Sequence, residues 1–327
     1  MTHSSIQNNS IKQGLLIYNP EDYEKNKWFA SELLTKAAHH GLSLKLILRH
    51  ELVLSIEENA GLTAFHLIRA SSSEDTSLSK DAPSLEDVSS PTLVPLTDID
   101  FVINRTRDSL IGTHFEKMGC RVFNNSTVTE ICNHKGKTHQ LINSRGIPSV
   151  GTFLGHVDYF HPAQLPFDYP VILKSVSGHG GSEVYRIENE IKLNECLALL
   201  PTKDFIIQEM CTSPGTDIRV FALGDKIIAA VKRFCPTSFK SNYSLGGSAT
   251  AYTLKPHEKE LVKRILSLLP FDFIGIDFIL NESGDFLFNE IEDVVGTRTL
   301  YLNYPELDIV DLFLDYIASS LATSSSK

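Results

Sequence analysis

The stretch FIGIDFILNESGDFLFNEIE, residues 273–292, constrains this chain more than any other. Its two ends are rich in β-branched and aromatic residues, and NESGD between them carries turn chemistry, so the spacing predicts two strands joined by a tight turn. Glu290 and Glu292 are two apart and therefore share one face of a strand. Asp277, on the partner strand, could lie across from them. Strand interiors seldom carry acids on one face without a counter-charge. Two sources of it are open. One is a hard divalent cation with oxygen ligands, most often Mg²⁺ shared with a nucleotide. The other is solvent together with neighbouring Lys and Arg side chains.

A chain of 327 residues exceeds what one hydrophobic core usually organises, so two or three lobes are expected. A net charge of −10 argues against a general grip on nucleic acid, which needs a basic stripe, and leaves room for a local positive pocket. The cysteines, Cys120, Cys132, Cys196, Cys211 and Cys235, are odd in number and form no CxxC pair, which points to reduced thiols rather than a disulfide framework or zinc site. The leading MTHSSIQNNSIKQ has no apolar core of a signal peptide, and no apolar run approaches membrane-spanning length. The expectation is a soluble cytoplasmic protein with no membrane partner.

From the N-terminus, a strand over 14–20, a helix over 28–40 capped by Gly41 and a strand over 42–48 make a β-α-β opening, which implies a parallel sheet. The Ser-rich, acidic tract 71–92 reads as a mobile surface loop, and residues 1–10 and 322–327 as polar ends. FVIN is followed by Arg105 and Arg107 at a strand's C-terminal end, where arginines face a phosphate or substrate carboxylate, or else pair with Asp108 and Glu116. The first lobe is expected over 11–125.

A helix over 129–144 carries Lys135, Lys137, His134 and His139, and the histidines are assigned no chemistry. VILK then delivers Lys174 ahead of SGHGGS, with Ser177, Gly178, Gly180 and Gly181, and a second strand follows. Such a turn lets backbone N–H groups approach a polyphosphate, although a lone GHGG by itself reads more readily as a plain hairpin. It is neither a Walker A loop nor a dinucleotide fingerprint. IRVFALGDKIIAAVKRF predicts a hairpin about Gly224-Asp225, and KPHEKELVKRILSLLP an amphipathic helix. The second and third lobes are expected over 126–201 and 202–321.

These elements in this order resemble the ATP-grasp superfamily, and within it the RimK-like carboxylate–amine ligases. The resemblance rests on FVINR, HKGKTHQLINSRGIP, PVILKSVSGHGG, IIQEM, DIRVFALGDKIIAAVKR, FKSNYSLGGSA and FIGIDFIL, and covers roughly residues 100–295. It implies an α/β ATP-grasp fold: an N-terminal parallel-sheet domain and two α+β subdomains enclosing the nucleotide. It also implies that Lys135 and Lys174 reach the phosphates, and that the loop of Ser177, Gly178, Gly180 and Gly181 closes over them. Gln208, Glu209 and Met210 fall on the linker whose backbone meets adenine, and Asp217 lies near the sugar and phosphates. Lys240, Ser241 and Asn242 match the family's phosphate-touching Arg-Ser-Asn. Asp277 and Glu290 match metal ligands. Glu292 stands where the family usually has Asn, and the Ser-Pro-Gly turn that normally follows is replaced by a segment ending in Arg298, a candidate with Arg105 for holding a substrate carboxylate.

The activity so implied is ATP-dependent ligation of a carboxylate to an amine, on an amino acid or peptide, through an acylphosphate. The cofactors would be ATP and Mg²⁺, with Mn²⁺ as an alternative, and a homo-oligomer stays open. Arg233, or else Arg219, would stabilise charge developing on the acyl group, with Lys240 assisting. Two other readings on the same fold are a small-molecule kinase and a regulatory protein that holds ATP without turnover.

Overall fold

The computed structural model describes residues 11–59, 61–68, 91–181, 183–240 and 247–324. The tract expected to be mobile, apart from its last two residues, lies outside the described residues, as do Ser182, Ser241, Asn242 and the polar N-terminus. The chain divides into two compact units, one of residues 1–106 and 110–122, the other of 107–109 and 123–327.

The first unit opens with β1 (Lys12–Tyr18), α1 (Pro20–Lys36) and β2 (Leu42–Leu48). α1 starts eight residues before the expected helix. Pro20 suits a first turn, whose missing donor costs nothing, and Glu21 and Asp22 favour its positive end. The apolar spacing begins only beyond Asn26, whose φ of −123° interrupts the helix. A 3₁₀ turn over Ala37–His40 ends at Gly41 in the left-handed region, φ +70°. β3 (Leu52–Glu57), β4 (Gly61–Ile68) and β5 (Thr92–Pro95) form an antiparallel three-stranded sheet, to which the sequence reading assigns no element. β6 (Phe101–Asn104), α2 (Ser109–Lys117) and β7 (Arg121–Phe123) complete a sheet of order β2-β1-β6-β7, with β1 parallel to both β2 and β6. Leu15, Ile17, Ile47, Val102, Ile111 and Phe115 fill its core.

The second unit begins with α3 (Ser126–Cys132) and α4 (Lys135–Ser144), capped by the side chains of Asn125 and His134. β8 (Thr152–His156), β9 (Val171–Ser175), β10 (Val184–Ile187), α5 (Glu190–Leu197) and β11 (Asp204–Glu209) follow. β11 pairs antiparallel with β8 and β9, giving a sheet of order β10-β9-β11-β8. A boundary at 201/202 therefore cuts one strand too early, because chain order alone does not say which sheet a strand joins. The rest comprises β12 (Thr216–Leu223), β13 (Lys226–Phe234), β14 (Ser248–Ala251), α6 (Pro256–Leu266), β15 (Phe273–Leu280), β16 (Phe286–Glu292), α7 (Arg298–Asn303) and α8 (Ile309–Ser324). α8 carries the helix three residues into the expected polar tail.

The five-stranded sheet, of order β14-β13-β12-β15-β16, is antiparallel, and one of its faces buries a large apolar core. Ile218, Val220, Ile276 and Phe288 pack there against Val128 and Ile142 of α3 and α4, and against Val262 and Ile265 of α6. α3 and α4, expected with the second lobe, thus bury their apolar sides on this sheet. The opposite face carries charge. No helix among the described residues is long and apolar enough to cross a membrane.

Candidate active site

The charged face depends on one irregularity in β16. Phe286 and Phe288 point into the core, and strict alternation would send Glu290 and Glu292 after them. A bulge intervenes. Phe278 pairs with Phe288 but Asp277 pairs with Glu290, so Asn289 is the extra residue. Beyond it Ile291 faces the core, while Glu290 and Glu292 turn to the other face beside Asp277. One carboxylate oxygen from each of Asp277, Glu290 and Glu292 lies within 4.8 Å of the others.

Arginines lock most of these acids. Arg219 on β12 donates to both oxygens of Asp277 at 2.7 Å and to Glu292 at 2.8 Å. Arg233 on β13 donates to both oxygens of Asp217, at 2.7 and 2.6 Å, and to Asp277 at 2.7 Å. Burial alone would raise the Asp277 pKa, but the two guanidiniums overcome it and hold the carboxyl down at about 2. Burial likewise opposes the charge on Arg219, and Asp277 and Glu292 outweigh it, raising its pKa further. Gly275 makes room for this arrangement: a Cβ there would come within 2.7 Å of Val295 and 3.4 Å of the Arg219 side chain.

Lysines stand opposite. Lys135 begins α4, where its backbone N–H donates to Val176 O at 2.8 Å. Its Nζ donates to Gly178 O and pairs with Glu290 at 2.7 Å. Against the burial that raises it, Lys135 and then Lys174 hold the Glu290 pKa below its usual value. Lys174, at the end of β9, is buried and donates to Asn289 Oδ1 at 3.0 Å. Burial lowers its pKa to about 8, with Glu290 pulling the other way. Gly180 and Gly181 take φ of +64° and +79°, which keep the loop after β9 tight, and Lys240 Nζ donates to Gly181 O at 2.6 Å.

These groups line one cleft of about 880 Å³, its open mouth included. Lys174, Gly178, Gly180 and Gly181 reach it from the end of β9, Asp217, Arg233, Asp277, Glu290 and Glu292 from the five-stranded sheet, and Lys135 and Lys240 also line it. Gln208, Glu209 and Met210 line it as well. The Glu209 N–H donates to Gly151 O at 3.2 Å, and the Gln208 side chain donates to Thr152 Oγ1 at 2.9 Å.

Other expected residues fall elsewhere. Arg219 lies behind the acids and does not line the cleft, so of the two candidate arginines only Arg233 faces it. Ser177 borders a smaller neighbouring cleft. Arg298, exposed at the start of α7, lines neither. Arg105 is buried in the first unit, its guanidinium 5.8 Å from the Tyr18 ring centroid and 5.1 Å from that of Phe29.

Two residues with no expected role hold the site together. Asn289 anchors Lys174. His139, on α4, is buried with Nε2 3.1 Å from Asn289 O and 2.9 Å from Gln208 Nε2, so it touches both sheets. Burial, followed by the nearby Lys174, lowers its pKa to about 4, so it is neutral in the folded protein. No local signal in the sequence marks either, since Asn289 matters only because of the bulge.

A model of the RimK-like ATP-grasp domain matches residues 132–317, more than half of the chain. The chain belongs to the RimK-like ATP-grasp family. Human beta-citrylglutamate synthase B is 28% identical over 311 residues, which are 92% of this chain and 75% of that protein. Human N-acetylaspartylglutamate synthase A is 31% identical over 226 residues, 65% of this chain and 56% of that longer protein. Among solved structures, the VanG D-Ala:D-Ser ligase of Enterococcus faecalis superposes with a TM-score of 0.68 at 17% identity, covering 95% of this chain and 98% of that one. At that identity the likeness concerns the fold, which is the ATP-grasp fold. This RimK-like protein is an ATP-dependent ligase that forms amide bonds.

Proposed function

We propose that this RimK-like ligase joins a small carboxylic acid, drawn from amino acids, peptides or polycarboxylic acids, to the amine of an amino acid or peptide. The observation that carries this reading is the convergence of Asp277, Glu290 and Glu292 within 4.8 Å in the cleft that Lys135 and Lys174 also line. Opposed acids and lysines suit a nucleotide polyphosphate with its divalent cation. The names of the two human relatives point the same way, since each describes a glutamate joined to a polycarboxylic acid.

The donor set fits a hard cation. It consists of carboxylate oxygens alone, and Asp277 and Glu290 are held ionised by neighbouring cations. Asp277, Glu290 and Glu292 would hold Mg²⁺, or Mn²⁺, which when bound neutralises phosphate charge and orients the terminal phosphoryl group. Lys174 and Lys135 exchange their present partners, Asn289 Oδ1, Gly178 O and Glu290, for phosphate oxygens. The substrate carboxylate attacks the γ-phosphorus, and the bond to the ADP oxygen breaks with its electron pair. The amine nitrogen then attacks the acyl carbon, the C–O bond to phosphate breaks, and the nitrogen gives up its proton. Arg233 faces the cleft and stabilises the negative charge that builds up in these steps. The loop containing Gly178, Gly180 and Gly181 keeps water from the acylphosphate, with Lys240 fastening it through Gly181 O.

The test is release of ADP and phosphate with glutamate as amine and N-acetylaspartate, citrate or glutamate as acid, each omitted in turn. Phosphate that appears only when acid and amine are both present supports ligation. A stable phosphorylated acid formed without amine would replace ligation with phosphoryl transfer alone.

A further inference from the structure

Lys174 and Ile172 stand two apart on β9 and both line the nucleotide cleft, while Leu173 between them faces the apolar core. Gln208 of β11 pairs directly opposite Ile172 and lines the cleft too. Side chains two apart on a strand are separated by roughly 6.6 Å. Gln208 therefore lies one step beyond the lysine proposed to meet phosphate. Val150, Ile172, Met210 and Ile279 give the cleft its apolar lining. A planar base suits such surfaces, and beside Ile172 it meets the Gln208 side chain.

Neighbours decide which way the Gln208 amide points. The Thr152 hydroxyl has one hydrogen and donates it to Val150 O at 2.9 Å, so towards Gln208 it can only accept. Gln208 Nε2 accordingly donates one hydrogen to Thr152 Oγ1 and the other to His139 Nε2, each at 2.9 Å. His139 is neutral, so accepting that hydrogen places its own on Nδ1. Asn289 O, 3.1 Å from Nε2, then receives no hydrogen from the ring, and the buried Nδ1 has no partner among the described residues. A buried donor left unpaired is costly and calls for a reason. Holding the amide supplies one. With both Nε2 hydrogens engaged, the carbonyl oxygen Oε1 is the atom that Gln208 has left for the cleft.

We propose that His139 is a positioning residue for nucleotide choice. It turns the Gln208 carbonyl oxygen into the cleft, where that oxygen accepts from the 6-amino group of a purine and opposes a 6-oxo group. Adenine nucleotides are then favoured over guanine nucleotides, and His139 sets the preference without touching the nucleotide. Two acceptors facing each other in a buried site form the kind of mismatch by which a polar pocket rejects a close analogue. The inference concerns the nucleotide alone and holds whichever acid and amine are joined.

Calorimetric titration of the full chain with MgADP, MgGDP and the Mg²⁺ complex of purine riboside diphosphate, which lacks the 6-amino group, tests this. It needs neither acid nor amine, so a failure of amine-dependent phosphate release would leave it standing. Wild type is expected to bind ADP about 10-fold or more tightly than either analogue. In His139→Leu the amide is no longer held, and the preference for ADP over GDP falls on the order of 10-fold. Gln208→Leu loses the preference to a like extent. Adding His139→Leu to it changes the ratio by no more than about two-fold, because His139 acts through Gln208. Additive losses in the double variant overturn the proposal. So does a His139→Leu protein that melts lower and binds ADP and GDP more weakly in equal measure, since that is a structural role. Wild-type protein that binds MgGDP as tightly as MgADP, or binds none of the three, overturns it with no variant needed.

Discussion

The two walls of the nucleotide cleft manage charge in opposite ways. On the five-stranded sheet, Asp217, Asp277 and Glu292 are bound by Arg219 and Arg233 through a continuous set of short, largely bidentate pairs. On the other wall Lys174 makes one bond to an amide oxygen, and Lys135 and Lys240 rest partly on loop carbonyls. The acid wall is organised by folding, before any ligand arrives, so its charges need no rearrangement during reaction. The basic wall must trade partners when a polyphosphate enters. Strand registry therefore fixes where a cation is held, while the lysines and the glycine loop respond to what is bound.

The strongest way to break this contrast is Asp277→Ala. Both arginines would lose a buried partner, and breaking a buried ion pair from one side costs about 3–5 kcal/mol. At about 2–4 °C per kcal/mol, the melting temperature should drop by roughly 6–20 °C. Loss of the Lys174 amine in Lys174→Met should be far milder, because only one hydrogen bond is removed. Comparable melting of the two variants would erase the distinction between the walls.

His139 tests how the walls are joined, since it touches Asn289 on one sheet and Gln208 on the other. Its folded-state pKa of about 4 lies below the reference of 6.5, so the unfolded chain takes up the proton first as pH falls. Stability from this group is therefore present above pH 6.5 and is lost as pH drops from there to about 4. Integrated over that window, the loss is roughly 3 kcal/mol. In His139→Leu this share of the acid sensitivity should disappear from denaturant titrations run across the window. An unchanged pH slope would mean that His139 is not held neutral.

Glu290→Gln sharpens the comparison at the edge where the walls meet. Glu290 pairs with Lys135 from the basic side and belongs to the proposed metal set. Turnover should fall at least 100-fold, about 2.7 kcal/mol of transition-state stabilisation. The fold should survive, because the Arg219–Asp277–Arg233 network does not include this residue. Manganese titration followed by water-proton relaxation in the presence of ADP would show the weakened metal site independently of turnover. Near-wild-type turnover would remove Glu290 from the metal set.

Much of this design is visible in the sequence, and its limits have identifiable causes. Period-two spacing places Glu290 and Glu292 on one face, and the Gly224-Asp225 turn, with Gly224 at φ +59°, makes the hairpin that brings Arg219 and Arg233 together. The same period also puts both glutamates with Phe286 and Phe288. Only the bulge at Asn289 reverses that, and a bulge depends on the partner strand. Pairing of the acids with basic residues was open from composition, but which arginine meets which acid is set by the β12–β13–β15 registry. Arg105 and Arg107 look equivalent along the chain, and only packing separates an arginine stacked on Tyr18 and Phe29 from one lining a cleft. The assignment of β11 and the β3–β4–β5 sheet depend on long-range pairing that local propensity does not encode.

The smallest effect is expected at Arg298, and it tests whether the altered segment after Glu292 reaches substrate through this side chain. The resemblance to RimK-like ligases makes Arg298 a natural carboxylate ligand, because it ends the segment that replaces the usual Ser-Pro-Gly turn. The fold places it on the first turn of α7, exposed and outside both clefts. A cation at the start of a helix opposes the helix dipole, so Arg298→Ala should change stability by no more than a few tenths of a kcal/mol. KM for ATP, acid and amine should each stay within about two-fold, a difference below 0.5 kcal/mol. Steady-state kinetics with each substrate varied in turn decides the matter. If Arg298→Ala instead raises KM for one substrate ten-fold, that substrate extends towards α7, and the segment after Glu292 acquires a role in recognition beside the residues that hold the metal.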